Sequence, residues 1–160
     1  MNAPNFRVAG HRLARIDGLG KVTGKHVYAA DFTLSGMLFG KVLRSTRAHA
    51  SIKRLDTSRA AAIPGVRAII TAGDIPAVLF GQAVRDTTVF ALDRVLFVGH
   101  PIAAVAAISL EIAERALAAI DVEFEDLPSL FDTETALESN VLIHPQWEGY
   151  KALPIIARSG

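Results

Sequence analysis

The chain has 160 residues, 17 Lys plus Arg against 16 Asp plus Glu for a formal charge of +1, and no cysteine. At about 150 residues per domain this length suits one domain or two small ones. The charge balance gives no electrostatic reason to expect nucleic acid or an acidic membrane as partner. The lack of thiols excludes a cysteine nucleophile, a disulfide framework, a cysteine zinc site and iron–sulfur ligation by these residues.

With 51% hydrophobic and 21% charged residues, the composition is that of a folding chain with a real core. Met1–Arg15 holds a proline, a glycine and scattered Arg, but no apolar core of the kind a secretory signal needs. The longest apolar stretch, Pro101–Leu110, is half of the roughly 20 residues that cross a bilayer. A cytoplasmic protein is expected.

Residues 1–35, rich in Gly and polar side chains, read as an arm that packs on something, with His26–Phe32 predicted as a short strand after Gly24. Met37–Ser45 and Ala50–Leu55 have strand composition. Asp56 or Thr57 is a cap for a short helix over 58–62, which Pro64-Gly65 ends, and Val66–Thr71 is the next strand. Ala72–Leu92 shows no sustained period and is expected as a loop or insertion.

Arg94–Ser109 carries the strongest strand signal, Val95–Val98 and Ile102–Ile108, broken at Gly99-His100-Pro101 into two strands or around a bulge. Ser109 is an N-cap for a helix over 110–120, where Ile112, Ala113, Ala116, Leu117 and Ile120 form one apolar stripe. Asp121-Val122-Glu123-Phe124-Glu125 alternates strictly, which sets three carboxylates on one face. Such a triad suits a cation, yet alternation alone accounts for it as the solvated face of a half-buried strand. Asp132 is a cap for a last short helix through Leu137, and the chain is expected to be extended beyond Val141.

The element order points to a mixed α/β (α+β) domain with short mixed sheets, one well-defined amphipathic helix and two short ones. The division expected is an arm over 1–35, a folded domain over 36–140 and an extended tail over 141–160.

The glycine cluster Gly18-Leu19-Gly20-Lys21-Val22-Thr23-Gly24-Lys25 invites a phosphate-binding reading. The spacing refuses it. A dinucleotide fingerprint needs glycine at Thr23, and a P-loop needs one more residue after Gly20 and Ser or Thr at His26; no strand before the cluster or helix after it is predicted. None of His11, His26, His49, His100 and His144 lies three to five residues from another, so no local metal pair exists. Ser35, Ser51 and Ser109 lack the flanking glycines of a nucleophile elbow. No glycosidase-like carboxylate pair stands out.

Several stretches in order nevertheless form a pattern. The arm carries Arg15-Ile16-Asp17-Gly18, Lys21-Val22-Thr23-Gly24, Tyr28 and Asp31; then come Gly36-Met37-Leu38, Arg44-Ser45, Ala48-His49-Ala50 and Pro64-Gly65-Val66. Thr71-Ala72-Gly73-Asp74-Ile75-Pro76, Val98-Gly99-His100-Pro101, Phe124-Glu125-Asp126-Leu127-Pro128 and Leu142-Ile143-His144 complete it. This series resembles the N-terminal domain of the molybdenum-binding large subunit of the xanthine dehydrogenase, aldehyde oxidase and carbon monoxide dehydrogenase family. Thr46, where that family usually has proline, and His100, where its bacterial members usually have Glu or Gln, depart from the pattern.

The resemblance implies an α/β-hammerhead fold and a structural role in an oxidoreductase that hydroxylates or oxidises a small aldehyde, N-heterocycle or related substrate. It implies molybdopterin-molybdenum, FAD and two-iron two-sulfur clusters in the complete enzyme, none of them bound by this chain alone. Molybdopterin-binding domains, an iron–sulfur subunit and an FAD subunit are the implied partners. The family's pterin loops and catalytic groups lie outside the matching region, so no catalytic, cofactor-binding or metal residue is assigned here; His49, His100, Asp31 and Arg44 are read as fold and interface residues. The alternative is a free-standing binding or regulatory module on the same fold.

Overall fold

The computed structural model describes residue 10 and residues 12–81 and 85–144, and the chain divides into two units, Met1–Met37 and Leu38–Gly160. In the first unit a five-residue helix, α1 (Gly18–Val22), falls on the glycine cluster, where the sequence predicts none. Its cause is local. Lys21, four residues after Asp17, pairs with that carboxylate at 2.5 Å, the Thr23 hydroxyl donates to the Leu19 carbonyl, and Gly24 at φ +69° lets the chain leave.

The strand predicted over His26–Phe32 is not present either. Ala29–Asp31 is a 3-10 turn in which the Asp31 carboxylate accepts from the Tyr28 amide at 3.0 Å. An acidic side chain that captures the amide three residues back bends the backbone away from extension.

The second unit holds six strands: β1 (Phe39–Arg44), β2 (Ala50–Asp56), β3 (Val66–Thr71), β4 (Arg94–Val95), β5 (Pro101–Ala107) and β6 (Asp121–Asp126). They form two three-stranded sheets, ordered β1-β5-β3 and β4-β2-β6, and every pairing is antiparallel. The mixed pairing expected from the sequence is therefore corrected. A parallel pair needs a crossover that returns the chain to the same sheet, whereas the helices here carry it from one sheet to the other. The helix α2 (Ser58–Ala61) links β2 to β3, and α3 (Leu110–Ala119) links β5 to β6.

The predicted caps are in place. Ser109 accepts from the Ile112 amide at 3.3 Å and starts α3; Asp132 accepts from the Thr135 amide at 2.7 Å and starts α4 (Thr133–Glu138). At α2 the Asp56 carboxylate accepts from the Ser58 amide at 2.9 Å. The stripe of α3 buries Ala113, Ala116 and Ile120 as read from the sequence.

Around β5 the core has two parts. Ala103 and Val105 join Ala60, Ala116 and Ile120, while Ile102 joins Ala50, Ala91 and Val95; Leu43 and Leu55 pack on both groups. The register against β1 skips Ile102, a bulge next to Pro101, where a residue without an amide donor is tolerated as the first of its strand.

Strand β4 stops at Val95, short of the predicted Val98, because the next amide, of Leu96, goes to a histidine side chain. The carboxylates of β6 lie against basic residues of β2: Asp121 at 2.5 Å and Glu123 at 3.8 Å from Arg54, and Glu125 on Lys53. The solvated-face reading holds, with ion pairs on that face.

Gly65 sits at φ +97°, and a Cβ there would meet Ile112 Cδ1 at 2.8 Å and Ile108 Cδ1 at 3.1 Å. Gly99, at φ +91°, has open space around the same position. Gly65→Ala is therefore expected to lower stability by about 2–4 kcal/mol, from overpacking and backbone strain together, and Gly99→Ala by about 1 kcal/mol from strain alone. Urea unfolding of both variants checks this, and equal losses would show that the overlap with Ile112 contributes nothing.

Candidate functional site

Three polar side chains are buried among the described residues: Ser45, His49 and His100, at 4%, 5% and 3% exposure. All three lie in one corner, where the chain passes from β1 to β2 and turns from β4 into β5. Backbone groups leaving a strand need new partners when buried, and the corner supplies them.

The Ser45 amide donates to the His100 carbonyl at 2.9 Å, and the Gly99 amide donates to the Ser45 carbonyl at 2.8 Å. The Ser45 hydroxyl accepts from the Arg47 amide at 2.9 Å and donates to the Arg47 carbonyl at 2.8 Å. Arg44 reaches across to donate to the Gly99 carbonyl at 2.9 Å. On the other flank Arg47 pairs with Asp126 at 3.4 Å, and the Leu127 amide donates to the His49 carbonyl at 2.9 Å.

The two histidines have defined tautomers. Nδ1 of His100 accepts from the Leu96 amide at 3.2 Å, so it carries no proton, and the ring stacks on Phe97 with centroids 4.6 Å apart. Burial holds this imidazole below its ordinary pKa and keeps it neutral. Nδ1 of His49 lies 2.7 Å from the Pro128 carbonyl, which only accepts, so Nδ1 donates and Nε2 bears the lone pair. That Nε2 is buried and has no hydrogen-bond partner among the described residues.

Two clefts open beside the corner. One, of about 310 Å³, is lined by Asp86, Asp93, Arg94, Leu96, His100 and His144, with His144 Nε2 and Asp86 Oδ2 4.0 Å apart. The other, of about 260 Å³, is lined by His49, Phe97, Val98 and Phe131 among others.

The structure thus brings Arg44, His49 and His100 together, with Ser45. Asp31 and His26 belong to the first unit, where His26 lies edge-on to Tyr28 at 4.8 Å. His11 lies outside the described residues. Sequence reading missed the part played by Ser45 and the approach of His144 to Asp86, since a pairing of residues so far apart in the chain leaves no periodic trace.

Chemically the corner is occupied with backbone closure. The Ser45 hydroxyl and one nitrogen of each buried imidazole are engaged by main-chain groups. Among the described residues no three of His, Cys, Asp and Glu are grouped to hold a metal ion.

Comparison with known proteins agrees with the ordered pattern of motifs. The family model described as "Aldehyde oxidase and xanthine dehydrogenase, a/b hammerhead domain" matches residues 23–128. The chain is 46% identical over 127 residues to a probable xanthine dehydrogenase subunit of Bacillus subtilis, covering 79% of this chain and 17% of that protein. It is 39% identical over 137 residues to the nicotinate dehydrogenase large molybdopterin subunit of Eubacterium barkeri, covering 85% of this chain and 32% of that protein. Among solved structures it is similar to the reconstituted CO dehydrogenase from Oligotropha carboxidovorans, with a TM-score of 0.75 and 37% identity over 82% of this chain and 17% of that one. The chain therefore spans between about a sixth and a third of the length of these relatives.

The depressed pKa of His100 sets a pH dependence. An unfolded imidazole takes up its proton near pH 6.5, before the buried ring does, so the fold gains from the neutral ring above that pH. This gain is lost as pH falls through 6.5 and down to the folded-state value. Urea midpoints are expected to drop between about pH 7.5 and pH 5, and to drop less in His100→Asn, whose side-chain oxygen still accepts from Leu96 but does not titrate. An identical drop in both proteins would assign the effect to other groups.

Proposed function

The chain belongs to the aldehyde oxidase and xanthine dehydrogenase family and contains its a/b hammerhead domain, and on that premise we propose that it acts as a structural domain of a molybdenum hydroxylase large subunit. The assembled enzyme would hydroxylate or oxidise a small aldehyde, N-heterocycle or related substrate. The observation that carries this reading is the corner itself. Motifs from three stretches far apart in the sequence, Arg44-Ser45 with Ala48-His49-Ala50, Val98-Gly99-His100-Pro101 and Phe124–Pro128, meet there and use their polar groups on one another's backbone. Residues used in this way hold a fold together, and a fold is not yet a reaction.

Exposed apolar side chains supply the second support. Phe131 and Leu137 stand out at 84% and 69% exposure, and an apolar cleft of about 480 Å³ runs past Ala136, Leu137, Val141 and Leu142. Patches of this kind mark surfaces that pack against other protein. On this reading residues 36–140 form the hammerhead domain, and the flanking segments 1–35 and 141–160 run along molybdopterin-binding domains and the iron–sulfur and FAD subunits.

Iron–sulfur clusters do not fit this chain's residues, because they are held by cysteine thiolates and the sequence has none. Clusters in such an assembly would be ligated by other polypeptide. No described helix is long and apolar enough to cross a membrane, and we place the assembly in the cytoplasm.

Purification of the protein from its source, with a visible spectrum and metal analysis, tests the proposal. Flavin and iron–sulfur absorption with molybdenum in the co-purifying complex is the expected result. A colourless monomer would instead make the chain a free-standing binding or regulatory module, and turnover of an aldehyde or a purine by the chain alone would overturn the structural role.

A further inference from the structure

No described residue of the first unit is buried, yet α1 and the turn that leads into it are amphipathic. Ile16, Leu19 and Val22 recur every third residue, which on a helical path sets them within about 120° of one another. Asp17 and Lys21, paired at 2.5 Å, fall on the opposite side. The three apolar side chains are 104%, 74% and 82% exposed. An apolar stripe is the side of a helix that a folded protein buries, so one left wholly in water marks a surface that meets another.

Charge says what kind of surface. The overall +1 conceals an asymmetry: residues 1–37 hold five basic and two acidic side chains, residues 38–160 twelve and fourteen. Arg15 and Lys21 are both held by Asp17. Arg12 and Lys25, before and after the stripe in the chain, have no ion pair among the described residues. Cations on either side of an apolar stripe match carboxylates on either side of an apolar groove. A second copy of the arm would set like charge against like. An anionic bilayer favours a longer helix with a strong apolar face, and α1 stops after five residues, where Gly24 turns the chain.

We infer that residues 12–25 dock into an apolar groove with an acidic rim on adjoining protein, Ile16, Leu19 and Val22 entering the groove and Arg12 and Lys25 meeting carboxylates at its edge. That the groove belongs to the rest of a molybdenum enzyme rests on the function proposed above; its chemistry rests on this chain's own charges and exposure.

The test takes the complex that purifies with the protein from its source and, beside it, the chain alone. Hydrogen exchange read by mass spectrometry is expected to be about tenfold or more slower over 12–25 in the complex than in the chain alone. A carbodiimide, which joins an amine to a carboxylate in contact with it, should couple Lys25 to an Asp or Glu outside this sequence. Arg12→Glu combined with Lys25→Glu should weaken retention of the chain in the complex about tenfold at low salt, and about 1 M salt, which screens surface charges, should close the gap. Ile16→Asp should weaken retention at either salt.

An arm that stays open in the complex, an arm already protected in the chain alone, a charge reversal without effect at low salt, or flotation of the chain with anionic phospholipid vesicles would overturn the inference. Should a variant fail to fold, the exchange and coupling measured on the unaltered protein decide. A complex with flavin, iron and molybdenum but an open arm overturns the inference and leaves the proposed function standing. A colourless complex with a protected arm does the reverse, and a chain that purifies with no partner overturns both.

Discussion

The second unit depends on closing its backbone at the place where its two sheets exchange strands. The chain leaves β1 for the other sheet at Ser45, and leaves β4 to enter β5 at Gly99 and His100. Both departures take amides and carbonyls out of their ladders, and each finds its partner in the other: Ser45 with His100 and Gly99 with Ser45 in the interior, Arg44 with Gly99 at the exposed edge. Removing a group from the buried part of this set, Ser45 or His100, would leave its partner buried and unmade, so that part tolerates little change. Its three buried polar side chains are there for that reason.

Much of this fold is legible in the sequence where one physical rule acts alone. The alternation of Asp121–Glu125, the apolar run of β5 and the stripe of α3 each follow from burial with a fixed period, and Ser109 and Asp132 mark helix starts because their oxygens meet free amides. What sequence reading misses involves competition between rules. Strand composition continues from Val95 to Val98, yet the His100 ring takes the Leu96 amide and ends the ladder. His26–Phe32 has strand residues, yet Asp31 captures the Tyr28 amide.

The motifs tell the same story at longer range. In the sequence, Arg44, His49 and His100 offer a cation and two imidazoles that invite a chemical reading, and they are read there as fold and interface residues. Their neighbours in space are not legible there, since nothing local links His49 to Pro128 or Arg44 to Gly99. Only the ordered series, through its family resemblance, points to structure without those contacts. The matched family model and the solved CO dehydrogenase place the series in one fold.

Leu43 and Leu55 have a role that neither sheet shows alone. Each packs on both halves of the core, one built on Ala103 and Val105 and the other on Ile102 and Val95. Two small sheets that shared nothing would be free to melt separately, and three strands each is the least that supports independent stability. Through these two leucines, and through β5 feeding both halves, loosening one sheet uncovers the packing of the other. The pair of sheets is thereby bound into a single cooperative transition, and neither can serve as an independently opening lid.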